Sequence, residues 1–139
     1  RHDDITSLLE SSDLVSVNTT LNDSTHCMID ESFVSNMKPG SILVNVSRGG
    51  IYGDIGAIHH ALLSGHLSGF GTDVWVKEPP HSDDHVFHDI VTNSAIKDRV
   101  IITPHTAYHS STSAIECRSK ASSNCLRVIN GLTPYNVIS

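Results

Sequence analysis

The sequence predicts an α/β fold: a partial Rossmann-type doubly wound parallel sheet, followed by a long C-terminal helix. Three observations carry that expectation. Short apolar runs alternate with stretches of helical periodicity along most of the 139 residues. The run "SILVNV" (41–46) is apolar and β-branched almost throughout, as expected of a strand covered on both faces of a parallel sheet. A second such run, "RVIITP" (99–104), is ended by a proline that cannot continue a sheet ladder. Strands that alternate with helices imply βαβ units.

In chain order, Ile5, Leu8 and Leu9 recur at helical spacing, and "DLVSVN" (13–18) then reads as a strand. Asp30 can cap a short helix over 31–37, which Pro39-Gly40 stops. After the strand at 41–46, Asp54 caps a helix that runs through Leu63 and ends at Gly65. "SGFGTDV" (68–74) is a glycine-bearing strand, and "HSDDHVFHD" (81–89) reads as a polar loop. A helix over 111–130 follows the strand at 99–104, with Ala114, Cys117, Ala121, Cys125 and Val128 on one stripe and Gly131 at its end. No repeat or linker is visible.

Composition narrows the function classes. A chain of this length suits one modest domain. A formal charge of −6 and 17% charged residues argue against a nucleic-acid or anionic-membrane partner, which would want a basic face. No run approaches the ~18 apolar residues of a membrane helix. Cys27, Cys117 and Cys125 are odd in number and lack CxxC spacing, so they are expected to be reduced packing residues in a cytoplasmic protein.

In open parallel sheets, ligands sit beyond the carboxyl ends of the strands. Ser47-Arg48-Gly49-Gly50 follows the second strand, Asp73 and then Glu78-Pro79 follow the third, and Thr103-Pro104-His105 follows the fourth. A guanidinium matches a carboxylate with two parallel hydrogen bonds. Histidine exchanges protons near neutrality, and an acidic neighbour would fix its tautomer and favour imidazolium. An anion clamp beside a proton exchanger is the equipment for oxidising a hydroxyl next to a carboxylate.

The motifs "ILVNVSRGG", "GTDVWVKEPP" and "VIITPHTAYHS", in this order, closely resemble the D-isomer-specific 2-hydroxyacid dehydrogenases, over essentially the whole chain. The resemblance implies an NAD-dependent oxidoreductase acting on a small 2-keto or 2-hydroxy acid, with NADP not excluded and no metal. By motif, it assigns the substrate carboxylate to Arg48, the acid/base role to His105 and the orienting role to Glu78. Asp73 would reach the nicotinamide end of the cofactor, with Val46 and Ser47 lining it. Arg48 and His105 would border it, and Thr19, Thr20 and Thr25 would lie along its ribose–diphosphate. Tyr108 is closer to the D-lactate dehydrogenase and C-terminal-binding-protein branches. A homodimer is expected for the full-length enzyme.

Departures from the family pattern set further expectations. Asn18-Thr19-Thr20 replaces the commoner His-x-Pro, so the cofactor-facing loop should differ in shape. One extra residue in "GGIYGDIGA" is expected to form a slack turn before the Asp54 cap. The diphosphate-binding Gly-x-Gly-x-x-Gly turn does not occur in these 139 residues. Residues 1–110 thus read as the C-terminal part of a dinucleotide-binding domain, and 111–139 as a helix and tail packing toward a substrate domain. On that reading the chain is a fragment, expected neither to bind NAD nor to turn over alone. Two other classes remain open. One is a dinucleotide-dependent protein-assembly module of the same fold; the other is a metal site in which His81, His85 and His88 stand among Asp83, Asp84 and Asp89.

Overall fold

The computed structural model describes residues 2–81 and 83–137. The chain divides into two compact units, one through His105 and one from Thr106 onward.

Aspartates start the helices of the first unit. Asp4 accepts the Ser7 N–H at 2.8 Å to open α1 (Ile5–Ser11), and Asp30 accepts the Phe33 N–H at 2.8 Å to open α2 (Glu31–Asn36). Asp54 accepts the Gly56 N–H to open α3 (Ile55–Ser64), which Gly65 closes at φ 79, in the left-handed region glycine favours. Asp84 accepts the Phe87 N–H at 2.9 Å to open α4 (His85–Thr92). Each cap satisfies an amide that the first helical turn leaves without a partner.

Between these helices run β1 (Leu14–Val17), β2 (Ser41–Asn45), β3 (Leu67–Thr72) and β4 (Val100–Ile102), paired in that order and all parallel. Their register decides where the chemistry falls. Val17 pairs with Asn45, Asn45 with Thr72, and Thr72 with Ile102, so the carboxyl ends of all four strands form one row. Asn18, Val46, Asp73 and Thr103 are the next residues out, on a common edge.

One sheet face carries Val15, Val17, Leu43 and Phe70 into a core closed by Leu9, Phe33, Ile58, Leu62 and Ile90 from the four helices. The expected covering of β2 on both faces does not hold among the described residues. Its burial alternates, with Ile42 37% exposed, and Ile101 on β4 is 72% exposed. An uninterrupted apolar run carries no period, so it cannot distinguish one covered face from two.

Three further expectations are corrected. The stretch at 81–89 is not simply a loop, because Asp84 caps α4 and Val86, Phe87 and Ile90 fall on its core side. The turn before Asp54 is not slack: Ile29 bridges Tyr52, and a Cβ on Gly53 would stand 2.5 Å from the Cys27 carbonyl oxygen. Cys27, Cys117 and Cys125 are exposed rather than packed, two of them on a helix with no buried residue.

That helix is α5 (Ser111–Ile129), the main element of the second unit. Ser110 and Ser113 form a reciprocal capping box at its start. The chain then folds back on its last turns. Arg127 donates to the Thr133 carbonyl at 2.6 Å and lies 4.1 Å over the Tyr135 ring, while Asn124 pairs with the Tyr135 backbone. No helix among the described residues is long and apolar enough to cross a membrane.

Candidate functional site

Two hollows open along the carboxyl edge of the sheet. The first, about 340 Å³, is lined by Asp73, Trp75, Glu78, Phe87, Thr103 and His105, among others. The second, about 470 Å³, is lined by Asn18, Thr19, Thr20, Leu21, Val46, Ser47 and Arg48. Eight of the nine residues expected at the site therefore line one hollow or the other. Thr25 lines neither. Its hydroxyl donates to the Thr20 carbonyl at 2.7 Å and accepts the Asn22 N–H at 2.9 Å, shaping the loop from within.

In the first hollow, His105 Nδ1 lies 2.6 Å from Glu78 Oε2. Partial burial pushes the Glu78 carboxyl up. The hydrogen bonds from His105 and from the Trp75 N–H outweigh it and hold the group below its ordinary 4.5. An ionised carboxylate can only accept, so Nδ1 must carry the proton of this pair. Glu78 and His105 keep 35% and 38% of their side-chain surface exposed, so a ligand can reach the pair.

The backbone at His105 is itself unusual. Its φ is 54, a left-handed conformation uncommon outside glycine, and its N–H bonds the Thr103 carbonyl at 3.0 Å. Such conformations persist where the surroundings over-determine them, and they cluster at functional sites. Here the preceding Thr103 anchors the turn, donating to Asp73 Oδ1 at 2.5 Å.

Around the second hollow, Asn45 shapes the arginine turn. Fully buried at the end of β2, it accepts the Ser47 N–H at 2.9 Å and reaches the Arg48 carbonyl with its amide at 3.4 Å. The Ser47 hydroxyl donates to the Thr19 carbonyl, tying the β1 loop to the β2 loop. Arg48 Nη1 donates to the Ser47 carbonyl at 2.8 Å. A Cβ built on Gly49 would stand 1.7 Å from the Trp75 carbonyl oxygen. Only glycine fits there, and the arginine turn thereby packs directly against the loop that carries Glu78.

Beneath the edge, the Tyr52 hydroxyl lies 2.8 Å from Thr72 Oγ1, which bonds the Val74 carbonyl at 2.6 Å. Burial pushes the Tyr52 phenol up to about 12 against its hydrogen bond with Thr72, so it stays neutral at any working pH. Tyr52→Phe should lower stability by about 1 kcal/mol, the net value of one hydrogen bond, with an unchanged denaturant slope. A urea titration checks both quantities.

The aspartates of the histidine-rich stretch are each already engaged. His81 pairs with Asp83 at 2.8 Å, Asp84 caps α4 and Asp89 pairs with His59 at 2.5 Å. Among the described residues, no group of three or more histidine, cysteine, aspartate or glutamate side chains is placed to hold a metal ion.

A sequence profile of the D-isomer specific 2-hydroxyacid dehydrogenase NAD-binding domain matches residues 1–107. The chain belongs to this family. A D-lactate dehydrogenase of Curvularia clavata is 36% identical over 110 residues, which cover 76% of this chain and 31% of that protein. The NAD⁺-bound D-lactate dehydrogenase of Lactobacillus jensenii superposes at a TM-score of 0.84 with 28% identity, over 98% of this chain and 42% of that one. The Aquifex aeolicus D-lactate dehydrogenase, bound to NAD and lactic acid, superposes at 0.79 with 30% identity, over 91% and 40%. Relatives of this kind are longer: the chain spans 23–36% of the length of the curated proteins it matches.

The donor set fits a nicotinamide dinucleotide. The second hollow offers hydroxyls and backbone groups at the ends of β1 and β2, with a guanidinium on its rim for negative charge. Asp73, buried and held by Thr103, offers a fixed acceptor at the end of β3 for a neutral amide.

Sequence reasoning missed three residues that shape this edge: Asn45, Trp75 and Thr103. Asn45 had a signal, a lone amide inside an otherwise apolar strand.

Proposed function

We propose that the full-length protein is a cytoplasmic, homodimeric, NAD-linked dehydrogenase that interconverts 2-keto acids and D-2-hydroxy acids. The observation that carries this reading is the Glu78–His105 contact of 2.6 Å on the sheet edge where β2 also delivers Arg48. Membership of a dehydrogenase family supports it, as does the fit of the two hollows to the cofactor. The homodimer and the compartment rest on family membership alone.

On this reading, Thr19, Thr20, Val46 and Ser47 line the cofactor, with Thr25 holding their loop, and Asp73 fixes its nicotinamide end. NAD, when bound, accepts or supplies the hydride. Arg48 holds the substrate carboxylate through two parallel hydrogen bonds, which orients the reacting carbon. His105 Nε2 donates its proton to the oxygen as the keto group is reduced, and takes it back in the oxidative direction. Glu78 accepts from Nδ1, fixing the ring orientation and stabilising the imidazolium.

Glu78→Gln removes the charge that favours imidazolium. The kcat for keto-acid reduction should then fall, with KM for the keto acid little changed. An unchanged kcat removes Glu78 from this role. Stability gives a second sign. Because the Glu78 carboxyl is depressed in the folded state, its contribution is present above the ordinary 4.5 and is lost as pH falls through the lower folded value. Glu78→Gln should therefore flatten the acid limb of the stability curve below pH 4.5.

A further inference from the structure

The loop from Asp73 to Pro80 has no regular secondary structure, yet it must present Glu78 to His105. Trp75 is the buried residue within it that bonds Glu78. Its backbone N–H donates to Glu78 Oε1 at 2.8 Å, the oxygen that His105 does not use. Its indole N–H donates to Asp84 Oδ2 at 2.8 Å, while the other Asp84 oxygen caps α4 through Phe87. The Trp75 and Phe87 rings meet edge to face at 5.0 Å. Two carboxylates and one tryptophan thus connect the N-terminus of α4 to the imidazole. Packing alone would be met by phenylalanine; a buried indole N–H needs an acceptor, and here the acceptor is a charged one that is itself anchored.

We propose that Trp75 and Asp84 are positioning residues for the dehydrogenase reaction, the Asp84–indole bond holding the loop in the shape that aims Glu78 at His105. The inference rests on the function proposed above. Neither side chain need touch substrate. What they set is the geometry of a proton donor, which must be held within a fraction of an ångström to act efficiently.

Two variants isolate the bond in the full-length protein. Trp75→Phe keeps the ring and the backbone N–H but removes the indole donor. Asp84→Asn keeps an oxygen for the α4 cap, where asparagine serves as well as aspartate, but its amide cannot also accept from the indole. The two disturb folding through different contacts, so one folded variant suffices for the test. Each should lower kcat for 2-keto acid reduction roughly three- to tenfold, the scale of one hydrogen bond, with KM within about twofold. The double variant should be no worse than the poorer single, because both remove the same interaction.

Proton NMR supplies a readout independent of turnover. The His105 Nδ1–H resonance, identified by its loss in His105→Gln, should be sharp and downfield in wild type. It should broaden or vanish in both variants, while the melting curve stays cooperative. A folded variant that keeps both wild-type kcat and the sharp resonance overturns the proposal, as do losses that add in the double variant. Absence of any keto-acid turnover in wild type would sink the proposed function instead, leaving the resonance to decide whether the indole bond holds the pair.

Discussion

His105→Gln is expected to lower kcat for keto-acid reduction by ~10²–10⁴, the usual contribution of a positioned acid or base. Glutamine can still bond Glu78 through its amide, so the loop keeps a partner, but it has no proton to give at neutral pH. The substituted side chain borders only the nicotinamide end, beside Asp73, and leaves the Thr19–Ser47 hollow untouched, so cofactor affinity should stay nearly intact. Titration of NADH fluorescence alongside steady-state kinetics separates the two quantities. Equal losses of cofactor binding and kcat would mean that His105 supports the fold of the edge rather than the proton transfer.

Arg48→Lys should raise KM for the keto acid and lower kcat/KM by at least roughly tenfold. Lysine keeps the charge but loses the planar fork that grips a carboxylate at two points. The surrounding turn should survive, because Asn45 beneath it and the close approach of Gly49 to Trp75 hold its shape, and a lysine ammonium can also donate to a carbonyl such as that of Ser47. The loss should shrink for substrate analogues in which an amide replaces the carboxylate. An unchanged kcat/KM with the natural carboxylate would remove Arg48 from the substrate site.

Much of this edge was legible in the residues. Two aspartate caps, Asp30 and Asp54, and four apolar runs placed the elements to within a residue or two, apart from α4. The residues proposed for catalysis, Arg48, Glu78 and His105, stand three to six residues beyond Asn45, Thr72 and Ile102, on the edge where βαβ geometry puts ligands. α4 was hidden because its histidines and aspartates look like a solvated loop, although Val86, Phe87 and Ile90 already carried a helical period. The cysteines misled for a related reason. Cysteine is usually buried, but α5 presents no buried residue, and Cys27 sits in an exposed turn at φ 56. Trp75 and Thr103 were illegible for a deeper one. Their roles depend on partners 9 and 30 residues away, and only the folded register brings those partners within hydrogen-bond reach.

The most direct test of the account is the stereochemistry of turnover. The full-length protein is given NADH and a panel of 2-keto acids, and the product is resolved by chiral chromatography. NADH oxidation yielding the D-2-hydroxy acid, and lost in His105→Gln, is the predicted result. Tight NADH binding with no oxidation by any 2-keto acid, or an L-configured product, would contradict it.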